Sequence, residues 1–341
     1  MRLSLTARCN LACPYCLPDG AEPPGLLSQA QRLAVVEAAV ALGARRLRLT
    51  GGEPLLHQGL EALIAAVAPL RAPHPATLHA PSPAAAPGLR EIGLTSNGAL
   101  LSAERARALR AAGLDRLTLS LDGASGAAVA RMAGLAGGAA AGEALLARVL
   151  AALEHARAAG FDPATGQLKL NAVIQPVRND DQLLPLAALA RKRGVELRLI
   201  EFMDVGNRNG WRPEAVLSAA AMVERIGAAW PLDPLGRDRH GTASRWRYRD
   251  GAGFLAVVAS VSEPFCGDCN RLRVTADGLA YTCLFAAPAS GLDLRPLLRP
   301  GVPAPELRQA MADLWRGRSD RWSEERREAW RQGTPPPVRH A

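Results

Sequence analysis

Apolar positions along residues 2–203 switch between two periods. Short runs alternate apolar and polar residues, as strands do, and longer runs place apolar residues three and four apart, as helices do. The alternating runs fall at 2–6, 45–50 (R-R-L-R-L-T), 92–95, 116–121 (R-L-T-L-S-L), 168–174 and 196–202. Helical spacing occupies 28–43, 57–70, 102–112, 143–159 and 181–193, with Ser28 placed as an N-cap and Gly43, Gly113 and Gly160 at the stops. Repeated strand–helix steps predict an α/β fold with a parallel sheet, either open or a partial barrel. The chemistry of such sheets sits at the C-terminal ends of the strands.

Two stretches interrupt this alternation: 72–87 is rich in Pro and Ala, and 124–142 in Gly and Ala. Both predict surface insertions or mobile loops. Beyond about residue 205 the pattern changes. Residues 245–249 and 253–260 predict one hairpin, 272–275 and 281–284 a second, 304–316 and 323–331 helices, and 334–341 a frayed Pro-rich end. The expected division is a barrel over 1–203 and a second region over 204–341.

With 341 residues, 48% of them hydrophobic, the chain can bury a sizeable core. No uncharged apolar run reaches the roughly 18 residues of a membrane span, and residues 1–17 lack a signal-peptide core, so the expectation is a cytoplasmic protein with no membrane contact. Lys and Arg number 41 against 32 Asp and Glu, which fits either a solvated basic surface or an anionic partner. Aromatic residues make up only 4%, with no RNP-like pattern, which argues against a stacking platform for nucleic acid. The six cysteines form two triplets near opposite ends of the chain, and in a cytoplasmic protein such clusters point to metal rather than disulfides.

The first triplet is Cys9-Asn-Leu-Ala-Cys13-Pro-Tyr-Cys16, or C-x3-C-x2-C. Three thiolates on one short loop can bind three irons of a [4Fe–4S] cube and leave the fourth iron open to a ligand. Structural zinc is the alternative, but it normally takes four ligands, and neither His57 nor His155 stands in a ligand-spaced motif. Tyr15 is either a core aromatic or a residue against a bound nucleoside. The second strand ends in Thr50-Gly-Gly-Glu-Pro54, where glycines allow close backbone approach. Ser96-Asn97-Gly98 and Ser120-Leu121-Asp122 end the third and fourth strands, either as plain turns or as polar groups on the same rim.

The second triplet, Cys266, Cys269 and Cys283, reads C-x2-C-x13-C and is again one ligand short. A zinc knuckle is the alternative here too. Arg271 and Arg273 project from one face of the following strand, with Leu272 on the other. Two guanidiniums beside an open cluster suit an anionic, iron-ligating substrate.

The C-x3-C-x2-C run with an aromatic before its last Cys resembles the signature of the radical S-adenosylmethionine (SAM) superfamily. Together with F-C-x2-C-N-R-L-R at 265–273, the two triplets resemble the MoaA family of GTP 3′,8-cyclases. So do L-S-L-T at 3–6, R-L-T-G-G-E-P-L-L at 48–56, T-S-N-G at 95–98, K-L-N-A-V at 169–173, R-L-I-E-F-M at 198–203 and G-N-R-N-G-W at 206–211. The resemblance implies a partial (β/α)6 TIM-like barrel whose C-terminal region carries a second cluster. It implies two [4Fe–4S] clusters, on Cys9, Cys13 and Cys16 and on Cys266, Cys269 and Cys283. SAM on the first cluster would yield a 5′-deoxyadenosyl radical that takes the C3′ hydrogen of GTP, after which ribose C3′ bonds guanine C8. By the same resemblance Tyr15, Gly52, Glu53, Ser120 and Met203 fall on SAM contacts. Arg2, Arg48, Ser96, Lys169, Arg198, Arg271, Leu272 and Arg273 fall on GTP contacts, with Arg2, Arg271 and Arg273 as the catalytic residues.

The implied partners are GTP, a reductant such as flavodoxin or ferredoxin, a MoaC-like cyclic pyranopterin monophosphate synthase downstream, and a second copy in a homodimer; no nucleic acid is expected. Three departures from the family pattern stand out. Arg2 directly follows Met1, position 7 is Ala rather than Asp, and Pro335, Pro336 and Pro337 precede the end instead of Gly-Gly. A Pro-rich tail is expected not to make the backbone approach of a Gly-Gly tail. Two other readings stay open: another radical SAM enzyme with an auxiliary cluster, acting on a peptide or tetrapyrrole, and a non-catalytic paralogue that binds clusters or nucleotide.

Overall fold

The computed structural model describes residues 1–16, 21–72, 88–205, 209–286 and 288–332. Strands β1 (Arg2–Ser4), β2 (Arg46–Thr50), β3 (Glu91–Ser96), β4 (Arg116–Ser120), β5 (Leu168–Ile174) and β6 (Glu196–Glu201) lie side by side in chain order, all parallel. Helices α1 (Gln29–Ala41), α2 (Leu60–Val67), α3 (Ala103–Ala111), α4 (Gly126–Ala133), α5 (Gly138–Ala158) and α6 (Leu183–Lys192) connect them. Ser28 closes a capping box with Gln31 at the start of α1, and Ser102 caps α3.

The second region adds α7 (Ala219–Ala229), β7 (Leu232–Arg237), β8 (Ser244–Tyr248), β9 (Phe254–Val258), β10 (Arg273–Val274), β11 (Leu279–Tyr281), β12 (Leu292–Asp293), α8 (Ala304–Arg316) and α9 (Trp322–Arg331). Among these, α7, β7 and β12 are absent from the sequence reading, because Ala-rich, Gly/Pro-containing and two-residue segments carry weak periodicity. A single 12-stranded sheet runs through both regions in the order β12-β11-β10-β1-β2-β3-β4-β5-β6-β9-β8-β7. β9 pairs parallel with β6 and β10 parallel with β1, so the later chain extends the barrel wall on both sides.

Register sorts the side chains into layers. Val274, Leu3, Leu49, Leu94, Leu117 and Leu168 pair across six adjacent strands and are all buried. They face the helices and form the core. The neighbouring rung is Arg273, Arg2, Arg48, Gly93 and Arg116. Successive residues of a strand point to opposite faces, so this rung points away from the helices, into the lumen.

The Gly/Ala stretch at 124–142 is not a mobile insertion. It forms α4 and the first turn of α5, joined through a bend of 94°. Gly126 and Gly142 let the two helices meet backbone to backbone, since a Cβ on either would run into the other helix. A small-residue helix contact and a flexible loop share a composition, and only the packing separates them. The 72–87 stretch and the Pro-rich tail lie outside the described residues, apart from Ala72, which is backbone-bonded to Leu89. Among the described residues no single helix is long and apolar enough to cross a membrane.

Candidate functional site

The first cysteine loop leaves β1 at the C-terminal rim and is pinned from four sides. The Gly52 amide donates to the Thr6 carbonyl and the Glu53 amide to the Arg8 carbonyl, both at 2.8 Å. A Cβ on Gly52 would collide with the carbonyl oxygens of Ala7 and Arg8, so this glycine admits the cysteine loop itself. The Ala12 amide donates to the Ala133 carbonyl at 3.2 Å, which ties the loop to the end of α4. Asn97 donates its side-chain amide to Asn10 at 2.8 Å and toward the Cys9 sulfur at 3.9 Å.

Beneath the rim, the buried Glu53 carboxylate accepts from Ser96 Oγ at 2.8 Å, the Asn97 amide at 2.7 Å and the Leu55 amide at 2.9 Å. Burial raises its pKa against these bonds. Glu53 and Ser96 are therefore committed to each other and to the turn that presents Asn97. Tyr15 donates to Asp122 Oδ2 at 2.6 Å, and Asp122 Oδ1 accepts from the Val173 amide at 2.7 Å. Burial pushes Asp122 up to about 6. Ser120 shares a small cavity with Tyr15 and Cys13. Asn209 donates to the carbonyls of Tyr15 at 3.2 Å and Met203 at 3.0 Å, linking the loop to the end of β6. Residues 206–208 of the same motif lie outside the described residues.

Cys9, Cys13 and Cys16 are free thiols held up in pKa by burial, Cys13 to about 12. Among the described residues no three His, Cys, Asp or Glu side chains converge on a single ion. A cube binds each thiolate through a different iron, so its ligands stand further apart than those of one zinc. The donor set and the open rim beside it fit an iron–sulfur cluster with a ligand on its free iron. Gly134, at φ +65°, lies so close that a Cβ would strike the Ala12 carbonyl oxygen. Gly134→Ala is expected to cost about 2 kcal/mol or more, through both the left-handed backbone and the collision. Iron content and absorbance of the reconstituted first cluster, with melting temperature alongside, measure this.

The second triplet opens into the lumen. A cavity of about 220 Å³ is lined by Cys266, Cys269 and Cys283 together with Arg2, Arg48, Arg198, Arg271, Arg273 and Met203. Arg271 stacks on Phe265 with 5.0 Å from guanidinium carbon to ring centroid. Arg271 Nη1 and Arg273 Nε are buried without a hydrogen-bond partner, as are Asn171 Oδ1, Thr95 Oγ1 and Ser260 Oγ. Among the described residues none of Arg2, Arg48, Arg271 and Arg273 is paired with a carboxylate. Burial holds all three of Arg2, Arg48 and Arg273 below the ordinary guanidinium range, followed by repulsion from Arg273 at Arg2, from Arg116 and Arg198 at Arg48, and from Arg271 at Arg273. Buried cations without counter-charges are costly, and an anion placed among them recovers that free energy.

The lumen continues to a second cavity of about 230 Å³ at the N-terminal ends of the strands, which shares Arg2, Arg48, Arg198 and Arg271. Here several of the cations have carboxylate partners. Glu196 accepts from Lys169 at 2.8 Å, Arg198 at 3.3 Å and Arg245 at 2.8 Å, and Glu91 pairs with Arg116 at 2.8 Å.

Two of the expected substrate residues do not line either cavity: Ser96 is taken up by Glu53, and Leu272 packs on the core while its carbonyl accepts from the Arg2 amide at 2.8 Å. Residues that the sequence reading did not single out complete the site. Asn171 and Thr95 face the lumen by strand alternation, and Glu196 and Arg245 frame the far mouth. Phe285, Arg318 and Asp320 close the side near the second triplet.

Comparison with known proteins agrees with this arrangement. The sequence model of the Radical SAM superfamily matches residues 3–190, and that of Molybdenum Cofactor Synthesis C matches residues 195–324. The chain is 63% identical over 326 residues to a GTP 3′,8-cyclase of Synechococcus sp. (strain CC9605), covering 96% of this chain and 90% of that one. It is 44% identical over 345 residues to a GTP 3′,8-cyclase of Xanthomonas campestris pv. campestris (strain B100), covering 98% and 92%. In fold it is similar to Streptococcus suis SuiB bound to S-adenosylmethionine (TM-score 0.61, 12% identity, 88% of this chain and 66% of that chain). It is similar also to native anSMEcpe with bound AdoMet (TM-score 0.53, 15% identity, 88% and 80%). Those two likenesses bear on the fold alone. On the strength of its sequence relatives and of two family models that together span most of its length, the chain belongs to the GTP 3′,8-cyclases, a family of radical SAM lyases of molybdenum cofactor biosynthesis.

Proposed function

We propose that GTP lies along the barrel lumen, its guanine toward Cys266, Cys269 and Cys283 and its triphosphate among the arginines of the β10-β1-β2 rung. The observation that carries this reading is the set of half-buried guanidiniums of Arg2, Arg48, Arg271 and Arg273, which face one cavity without carboxylate partners among the described residues, Arg271 Nη1 and Arg273 Nε being fully buried and unbonded. Several fixed cations around one polyanion supply the strong, charge-assisted kind of hydrogen bond. Lys169 and Arg198, held by Glu196, extend the cationic surface toward the far mouth.

Cys9, Cys13 and Cys16 would hold the first cluster, with SAM beside Tyr15, Ser120 and Met203. When bound, this pair supplies the radical that removes the C3′ hydrogen of GTP. The chain's own residues orient and exclude. Glu53, Asn97, Asp122 and Asn209 fix the cysteine loop and its tyrosine against the strand ends. The arginine rung holds the ribose at one depth in the lumen, so that proximity rather than acid–base chemistry is the protein's main contribution. A second [4Fe–4S] cluster on Cys266, Cys269 and Cys283 would bind the base. Its support is the donor set, three free thiols facing the substrate cavity, with Arg271 and Arg273 beside them.

A low-potential electron donor of the flavodoxin or ferredoxin type, a MoaC-like enzyme that takes up the product, a homodimer and a cytoplasmic location complete the proposal. Iron–sulfur ligation by free cysteines accords with a reducing compartment.

The test is anaerobic reconstitution with iron and sulfide, followed by SAM, reductant and GTP. Formation of 5′-deoxyadenosine together with a cyclised GTP product is expected; SAM cleavage with no GTP product would favour the peptide- or tetrapyrrole-modifying alternative. GTP is also expected to raise the melting temperature by several degrees, guanosine by much less, with the gap narrowing as salt is added. Equal shifts for the two ligands would remove the triphosphate from the arginine rung.

A further inference from the structure

Arg318 follows α8 and occupies a position that neither the cysteine motifs nor the arginine rung account for. Its guanidinium is used on every edge. Nη1 donates to the Cys269 carbonyl at 2.7 Å and Nη2 to the Cys266 carbonyl at 3.0 Å. Nε donates to Asp320 Oδ2 at 3.0 Å, and Nη2 reaches the Asp320 carbonyl at 3.3 Å. The other carboxylate oxygen of Asp320 accepts from Thr282 Oγ1 at 2.7 Å, and Thr282 directly precedes Cys283.

The side chains of Arg318 and Asp320 are only 16% and 18% exposed, and both line the lumen cavity with the three thiols. Trp315 lies against the guanidinium, 5.4 Å from its carbon to the ring centroid. No backbone hydrogen bond outside the strand ladder joins residues 265–270 to 282–285 among the described residues. One planar fork and one carboxylate thus connect the turn that carries Cys266 and Cys269 to the separate segment that carries Cys283.

We infer that Arg318 is a positioning residue for the second thiol triplet: through Asp320 and Thr282 it sets the spacing between the Cys266–Cys269 turn and Cys283. The inference rests on the proposed second cluster. Ligands of a cluster come from segments that must be held at a fixed separation, and groups bonded to those ligands control both assembly and electronic structure. Only a guanidinium can bond two carbonyls and a carboxylate from one planar head; an ammonium on a flexible stem cannot reproduce that geometry.

The experiment compares wild type, Arg318→Gln, Arg318→Lys and Asp320→Asn after anaerobic reconstitution. Iron per chain, melting temperature and EPR spectra of the reduced protein are recorded with SAM and with GTP added separately. Wild type is expected to hold about eight irons, four per cluster. Arg318→Gln should hold about half of that, keep the SAM-responsive EPR signal and lose the GTP-responsive one, and Arg318→Lys should not rescue it. Asp320→Asn, which removes the charge that joins Arg318 to the Thr282–Cys283 segment, should retain iron and shift the GTP-responsive signal. Wild-type iron with an unchanged GTP-responsive signal in Arg318→Gln overturns the inference and leaves the second cluster standing. Should Arg318→Gln fail to fold, an unchanged signal in Asp320→Asn overturns it instead. Wild type with only about four irons sinks the second-cluster reading, and the inference with it.

Discussion

Arg271→Ala and Arg273→Ala are each expected to lower GTP turnover by about 30-fold to several thousand-fold, while slow SAM cleavage without GTP persists. The range follows from the roughly 2–5 kcal/mol lost when one partner of a buried charge pair is truncated, at about 1.4 kcal/mol per tenfold. Both side chains line the substrate cavity, whose lining includes no residue of the first cysteine loop, and each has a buried nitrogen with no hydrogen-bond partner. Their sign on stability is opposite to that of ordinary buried arginines. Without an anion Arg273 is desolvated, and both arginines repel Arg2. Truncation should leave the melting temperature of the ligand-free chain equal or higher while the shift produced by GTP shrinks. Product formation, 5′-deoxyadenosine release and melting temperature, measured on the same preparations, separate the outcomes. Equal loss of GTP turnover and of uncoupled SAM cleavage would falsify the assignment of these arginines to substrate.

Cys13→Ala is expected to bring 5′-deoxyadenosine formation to background, whereas Cys283→Ala should abolish the cyclised product and leave residual SAM cleavage. Cys13 is one of three thiols on a loop pinned to α4 and to the ends of β3 and β4, and a cube deprived of one of its three thiolates loses a third of its protein ligands. Cys283 instead lines the lumen beside Arg273. Its loss should remove the anchor for the base without disturbing the rim where SAM sits. Iron analysis should fall by about half in each variant, with the SAM-responsive EPR signal lost in the first and kept in the second. Product formation by Cys283→Ala at the wild-type rate would show that the second triplet does not hold the substrate.

Much of the site is local and could be read directly. The first triplet spans eight residues, so the loop that carries it needs no distant partner to be recognised. The alternation R-L-R-L-T at 46–50 already separates a lumen face from a core face, because strand side chains have a period of two. Glycines at the end of β2 announced a close approach, although what approaches is the cysteine loop's own backbone rather than open ligand space. Other features were hidden for physical reasons. Ser96 looks like a substrate contact until Glu53, 43 residues earlier, takes its hydroxyl. The Gly/Ala run at 124–142 offers only Val129, Met132 and Leu135 as large apolar residues, too few to mark a long helical stripe, yet its small residues are what allow α4 and α5 to touch.

Sequence alone determined the chemistry available: six thiols in two triplets, a run of strand-borne arginines, and a β/α series able to hold them. Tertiary structure alone decided which of these meet. Arg2, Arg48 and Arg273 stand on one rung because β10 returns to pair parallel with β1 after some 270 residues of chain, and strand register is a long-range property that no local period encodes. That same pairing brings the second triplet over the lumen and leaves the arginines half-buried around one cavity without carboxylate partners among the described residues. The first triplet states that a cluster can be held; the register of β10 on β1 states what lies in front of it, because only folding converts distant charges into a shared, desolvated cavity.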